Sequence, residues 1–105
     1  MALDTIDLLI LKALALAPLH GYGIGQRIEQ VSGGVFRITL GALYPALQRL
    51  ERNGHVKASW STSENNRRAR YYTLTPAGRR RLSVGQKSWE RTAAAMMRVL
   101  HAETE

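Results

Sequence analysis

Between Gly54 and Thr75 the apolar residues of this chain change their spacing, and that change limits the folds open to it. Before Gly54 they recur at helical intervals. Ile6, Leu9, Ile10, Ala13, Leu14 and Ala17 form one stripe, capped by Asp4 or Thr5 and ended by Pro18. Leu8 and Leu11 add apolar surface on a second side, so this helix needs more than one thing to pack on. Tyr22 or Ile24, then Ile28 and Val31, mark a shorter helix stopped by Gly33-Gly34. Gly23 and Gly25 each cost it roughly 1 kcal/mol against alanine. "VFRI" (35–38) is long enough only for an edge strand. Thr39 then caps a third helix, with Leu40, Leu43, Leu47 and Leu50 facing inward and Asn53-Gly54 closing it.

Within 54–75 the period is two. In "HVKASW" Val56, Ala58 and Trp60 alternate with polar residues; in "RYYTLT" Tyr72 and Leu74 alternate with Tyr71 and Thr73. The polar stretch "STSENNRRA" between them reads as the long tip of a hairpin. Thr75-Pro76 restarts a helix, as an N-cap followed by proline at the first helical position. It runs from about 76 to 102, roughly 40 Å at 1.5 Å per residue. That is too long for a chain of 105 residues to cover alone. Its positions Leu82, Gln86, Trp89, Ala93, Met96 and Leu100 step alternately by four and three, a heptad seam widened by Met97 and Val99.

Three helices, a two-stranded wing and a long last helix make a mainly α fold with a small β-hairpin: a winged helix-turn-helix with a C-terminal dimerisation helix. Residues 1–75 are expected to form the DNA-binding part and 76–105 the dimerisation helix, in one compact unit. In such folds the third helix enters the major groove and the wing reaches the backbone or minor groove. The charge fits this: the chain carries a formal net charge of +7, and "RRARYYTLTPAGRRR" (67–81) holds Arg67, Arg68, Arg70, Arg79, Arg80 and Arg81 with no acid. A basic chain favours a polyanionic partner. A solvated basic face is the simpler account of such a run, and some of Arg79, Arg80 and Arg81 are expected to face solvent or pair with acids.

Other classes fare poorly. There are no cysteines, hence no disulfide frame, thiolate chemistry or cysteine metal site. His20, His55 and His101 lie in different elements with no acid at ligand or triad spacing, and no glycine-rich phosphate loop is present. No metal, cofactor or enzymatic activity is expected. The apolar stretch 8–19 is interrupted by Lys12 and Pro18 and too short to span a bilayer, and Asp4 and Asp7 do not fit a signal peptide. The reading is a cytoplasmic protein with no membrane partner.

The segments "LHGYGI", "LGALYPALQRLERNGHV", "RYYTLTPAGRRRL" and "SWERT" resemble the PadR family of transcriptional regulators, over nearly the whole chain, and its small subgroup with one C-terminal helix in particular. The resemblance implies a homodimer on a pseudo-palindromic double-stranded operator, usually a repressor, often released by a small aromatic or hydrophobic effector. The chain departs from the family pattern in two places. Gly23 stands where an acid often follows HGY, which weakens the second helix. Arg67 stands where the wing commonly has glycine, so the tip is expected to turn differently and carry one more charge.

On the third helix, Gly41, Ala42, Tyr44, Pro45, Gln48, Arg49 and Arg52 lie opposite the leucine stripe. Small Gly41 and Ala42 permit close approach to DNA, and Thr39 with the first free amides can meet a phosphate. Tyr44 is expected to touch DNA; the alternative is a half-buried ring packed on the wing. Gln48 and Arg49 are the expected base readers, glutamine for adenine and arginine for guanine. Arg52 is equally a solvated charge. Pro45 removes only the hydrogen bond back to Gly41, near an end where helix bonding is incomplete, and tightens or kinks that turn to aim Tyr44. His20 and Tyr22 either contact phosphate or serve as cap and core. Arg67, Arg68 and Arg70 are wing contacts. Leu82, Trp89, Ala93, Met96, Met97 and Leu100 are assigned to the dimer seam. With Leu8 or Leu11, Trp89, Met96 and Met97 can also wall a ligand cavity, as a tryptophan of the last helix does in some small family members. The rival to a DNA-binding regulator is a dimeric ligand sensor or adaptor without DNA readout; RNA binding is a third and weaker option.

Overall fold

A computed structural model of the chain describes residues 5–103. The Asp4 cap and the last two residues of the 76–105 segment lie outside it. In chain order the elements are α1 (Thr5–Leu16), β1 (Leu19–His20), α2 (Gly21–Val31), α3 (Leu40–Arg52), β2 (Val56–Thr62), β3 (Arg68–Leu74) and α4 (Pro76–Leu100). Helix α1 stops two residues before Pro18, whose ring disfavours helical geometry in the residue before it. Helices α2 and α3 both end in the same way. Gly33 and Gly54 take positive φ, and the next residue donates its amide five residues back, Gly34 to the Glu29 carbonyl (2.8 Å) and His55 to that of Leu50 (2.8 Å).

The core gathers Ile10, Leu11 and Leu14 of α1, Ile24 and Ile28 of α2, and Leu43, Ala46, Leu47 and Leu50 of α3. Val56, Tyr72, Leu74 and Leu82 close it from the hairpin and α4. Each fully buried leucine contributes about 1.5–3 kcal/mol. Burial pushes the Tyr72 phenol above its ordinary pKa, against the opposing pull of Arg70.

Four sequence expectations are corrected. Residues 35–38 form no strand; the third strand is β1, which pairs antiparallel with β3 (Leu19 opposite Tyr72, His20 opposite Tyr71), so the sheet order is β1-β3-β2. "VFRI" runs instead along α1 and Ala42. Leu40, at the exposed first turn of α3, is 48% exposed and not core; Ala46 takes the inward place. The hairpin tip is short, because the strands extend to Thr62 and Arg68. Finally, Trp60 lies on the inward-facing side of β2, yet the core ends at Ala58 and its ring is 60% exposed.

Helix α4 is seated by its first half. Thr75 caps it by accepting from the Gly78 amide (3.0 Å) while donating to the Gly54 carbonyl (2.6 Å). Gly78 lies against the His55 carbonyl, where a side chain would collide with backbone. Leu82 and Gly85 are buried; past them Trp89, Met96, Met97, Val99 and Leu100 are exposed. The molecule is 63 Å along its longest axis and 28 × 22 Å across. Among the described residues no helix is long and apolar enough to cross a membrane.

Candidate nucleic-acid interface

Helix α3 carries its buried stripe on Leu43, Ala46, Leu47 and Leu50, which leaves Gly41, Ala42, Tyr44, Pro45, Gln48, Arg49 and Arg52 exposed. The helix continues unbroken through Pro45. At its start the Thr39 hydroxyl accepts from the Ala42 amide (3.2 Å), so the Thr39 side chain is engaged as a cap. The amides of Leu40 and Gly41 precede the first intrahelical bond and remain for an outside acceptor.

Tyr44 has one edge packed and one open. A Cβ on Gly21 would stand 2.7 Å from the Tyr44 hydroxyl, so the ring lies across the first residue of α2, and a larger residue there would push the ring aside. The packed side is thus α2. The rest of the ring opens into a cleft of about 730 Å³ between α2, α3 and the wing, shared with His20, Gln48, Trp60, Arg68 and Arg70.

His20 is the N-cap of α2: its Nδ1 accepts from the Gly23 amide (3.0 Å). This bond supports the glycine-rich start of the helix. The His20 ring meets Tyr71 edge-on at 5.3 Å and stacks at 6.5 Å with Tyr22. Tyr22 itself is 60% exposed, which removes it from the core. Of the two sequence alternatives for this corner, His20 is a cap and Tyr22 is a surface residue.

The two wing arginines of β3 are held in different ways. Arg70 donates to Glu51 at the end of α3 (2.8 Å). Arg68 lies over the Trp60 ring, 5.1 Å from its centroid. Arg67 sits in the tip and is exposed; its amide donates to the Ser63 hydroxyl (3.4 Å) and its carbonyl accepts from the Ser63 amide (2.7 Å). The left-handed residue of this turn is Asn66 (φ 59°), one position before Arg67. Asparagine tolerates that conformation better than most residues, so the tip closes without glycine.

Arg49, expected to read bases beside Gln48, donates to Asp7 of α1 (2.9 Å), with its side chain 45% exposed. It lies on the flank of α3 away from the cleft. Two other expected residues are used inside the protomer: Leu11 is fully buried and Leu82 nearly so, which takes Leu11 out of any ligand wall. Leu8 is half-buried, Ala93 likewise, and Trp89, Met96, Met97 and Leu100 are exposed. Sequence reasoning missed Trp60 and the acids Asp7 and Glu51. Trp60 had a signal of a kind: it stands opposite Arg70, a residue that no core would take. The two acids had none, because each meets its arginine only through tertiary structure.

The sequence pattern of the family described as "Transcriptional regulator PadR-like family" matches residues 10–84. An uncharacterised 37.1 kDa protein in transposon Tn4556 of Streptomyces fradiae is 43% identical over 99 residues, 94% of this chain; the chain spans only 25% of that protein. The transcriptional regulator Rv3488 of Mycobacterium tuberculosis is 32% identical over 92 residues, covering 88% of this chain and 82% of its own. Among solved structures, a PadR family transcription regulator from Clostridium difficile R20291 is similar with TM-score 0.79 at 28% identity, over 92% of this chain and 99% of that one. Bacillus subtilis PadR in complex with operator DNA shares the fold, with TM-score 0.68 at 24% identity over 76% of this chain and 45% of that one.

Proposed function

As this chain belongs to the PadR-like family of transcriptional regulators, not of enzymes, we propose that it binds double-stranded DNA sequence-specifically as a homodimer. One observation carries the reading: the outward face of α3 and the basic side of the wing open onto one cleft. Gly41, Ala42 and Pro45 let α3 approach the groove, Tyr44 and Gln48 contact it, and Arg67 and Arg68 meet phosphate. His20 and Tyr22 flank the same cleft from α2. The solved operator complex of Bacillus subtilis PadR supports DNA as the ligand class. In this reading residues 1–75 bind DNA and 76–105 pair two copies, in the cytoplasm.

The exposed seam of Trp89, Met96, Met97 and Leu100 supports the second copy, since large apolar side chains on one exposed helix side call for a cover. Two copies place their α3 helices on half-sites about 34 Å apart or a multiple of that, which asks for a pseudo-palindromic operator. The reading extends to repression relieved by a small aromatic or hydrophobic effector seated near Trp89, Met96 and Met97, with Leu8 at its edge.

The test is titration against duplexes recovered by the protein from a random-sequence pool. A recovered motif with two-fold symmetry, bound with steep salt dependence, supports the reading; binding indifferent to sequence at physiological salt overturns it. Trp89 quenching by an aromatic ligand, measured with and without the duplex, separates a regulator from a ligand sensor that ignores DNA. True coupling must be reciprocal.

A further inference from the structure

We propose that Trp60 is a positioning residue that fixes the direction of Arg68 for a DNA phosphate while leaving its charge intact; this rests on the DNA-binding reading above. The argument begins with where the core stops. On the α3-facing side of the hairpin the cross-strand pairs run Val56–Leu74, Ala58–Tyr72, Trp60–Arg70 and Thr62–Arg68. The first two pairs are buried or half-buried; Trp60 is 60% exposed. A tryptophan placed there leaves more than half of its surface open, and its ring holds the Arg68 guanidinium 5.1 Å from its centroid.

Arg70 provides the contrast on the same strand. Glu51 holds it, and its carboxylate offsets part of that charge. Among the described residues Arg68 has no carboxylate partner. An aromatic face orients a guanidinium through its quadrupole and by stacking, and neither adds negative charge. Arg68 therefore arrives at a phosphate with its full charge and less rotamer freedom to lose. Both residues line the cleft that holds Tyr44 and Gln48, so the held guanidinium stands beside the reading helix.

The test is a double-mutant cycle on the full-length chain, with a duplex the protein recovers from a random pool. Trp60→Ala is expected to weaken binding roughly two- to fivefold, the range of an exposed cation–π contact, with the salt slope unchanged because the charge still reaches phosphate. Arg68→Ala is expected to weaken binding and flatten the slope by about one unit. In the Arg68→Ala background, Trp60→Ala is expected to cost nothing further, and Trp60→Phe alone should retain most of the affinity. A Trp60→Ala loss that persists undiminished without Arg68 means that the indole touches DNA itself, and overturns the inference while leaving the DNA reading in place. A full loss in Trp60→Phe does the same. Failure of the unmodified chain to recover any duplex sinks the DNA reading and this inference with it. Unchanged thermal melting of each variant secures the comparison.

Discussion

Helix α3 and the outer half of α4 carry apolar residues at the same helical spacing, and their fates differ. Leu43, Leu47 and Leu50 are almost completely buried within the protomer; Trp89, Met96 and Leu100 are 48%, 54% and 66% exposed. The spacing defines a side of a helix, and the chain length that folds back over it decides whether that side is core or interface. For α3 three elements return to cover it. For α4 beyond Gly85 no large apolar side chain is buried among the described residues, and the helix outruns a body only 28 × 22 Å in cross-section.

The sharpest way to break this comparison is to truncate both stripes. Leu47→Ala is expected to destabilise the protomer by about 2–5 kcal/mol in urea unfolding, the cost of a cavity in a closed core. Trp89→Ala should act on association instead. Sedimentation equilibrium is expected to show dimer dissociation raised by about thirtyfold, equivalent to a hot spot near 2 kcal/mol. If Trp89→Ala leaves self-association unchanged, the outer half of α4 is not the interface. Smaller effects sharpen the distinction within the core and at its rim. The Tyr72 phenol is held above its ordinary value of 10.0 chiefly by burial. Folding therefore favours the protonated form, and that stability is fully present below the unfolded pKa and lost as pH rises through the folded one. Tyr72→Phe should flatten the alkaline loss measured by unfolding across that range; an equally steep loss would assign it to other groups. The smallest expected effect is at the surface pair: Glu51→Gln should cost well under 1 kcal/mol of stability. By releasing the charge of Arg70 it should also raise DNA affinity a few-fold at low salt, and lowered affinity would instead make Glu51 a needed brace.

Much of this was legible. The three helices, both hairpin strands and the long last helix follow from period and punctuation, because Gly33, Gly54, Thr75 and Pro76 act locally. The outward side of α3 was readable for the same reason. What escaped depends on who the neighbour is. Leu40 has the spacing of the stripe but sits in the first turn, beyond the reach of the core. Trp60 has the right alternation but lies past the last residue that packs beneath the sheet. Arg49 carries an ion pair to Asp7, 42 residues earlier, that no local pattern announces. The segment "VFRI" has the composition of an edge strand, while the actual one comes from Leu19-His20, a dipeptide too short to show any period.

That dipeptide has a mechanical consequence. Leu19 and His20 pair with the wing strand, the His20 ring nitrogen caps α2, and Gly21 is the floor on which Tyr44 of α3 rests. Three parts of the proposed grip are thus wired in series through three consecutive residues. A one-residue insertion between His20 and Gly21 is expected to shift both Gly23 from the His20 ring and Gly21 from beneath Tyr44, whereas the turn at 63–67 joins only the two strands it connects. A change of length at this shortest strand is therefore expected to reach further than one in the hairpin turn.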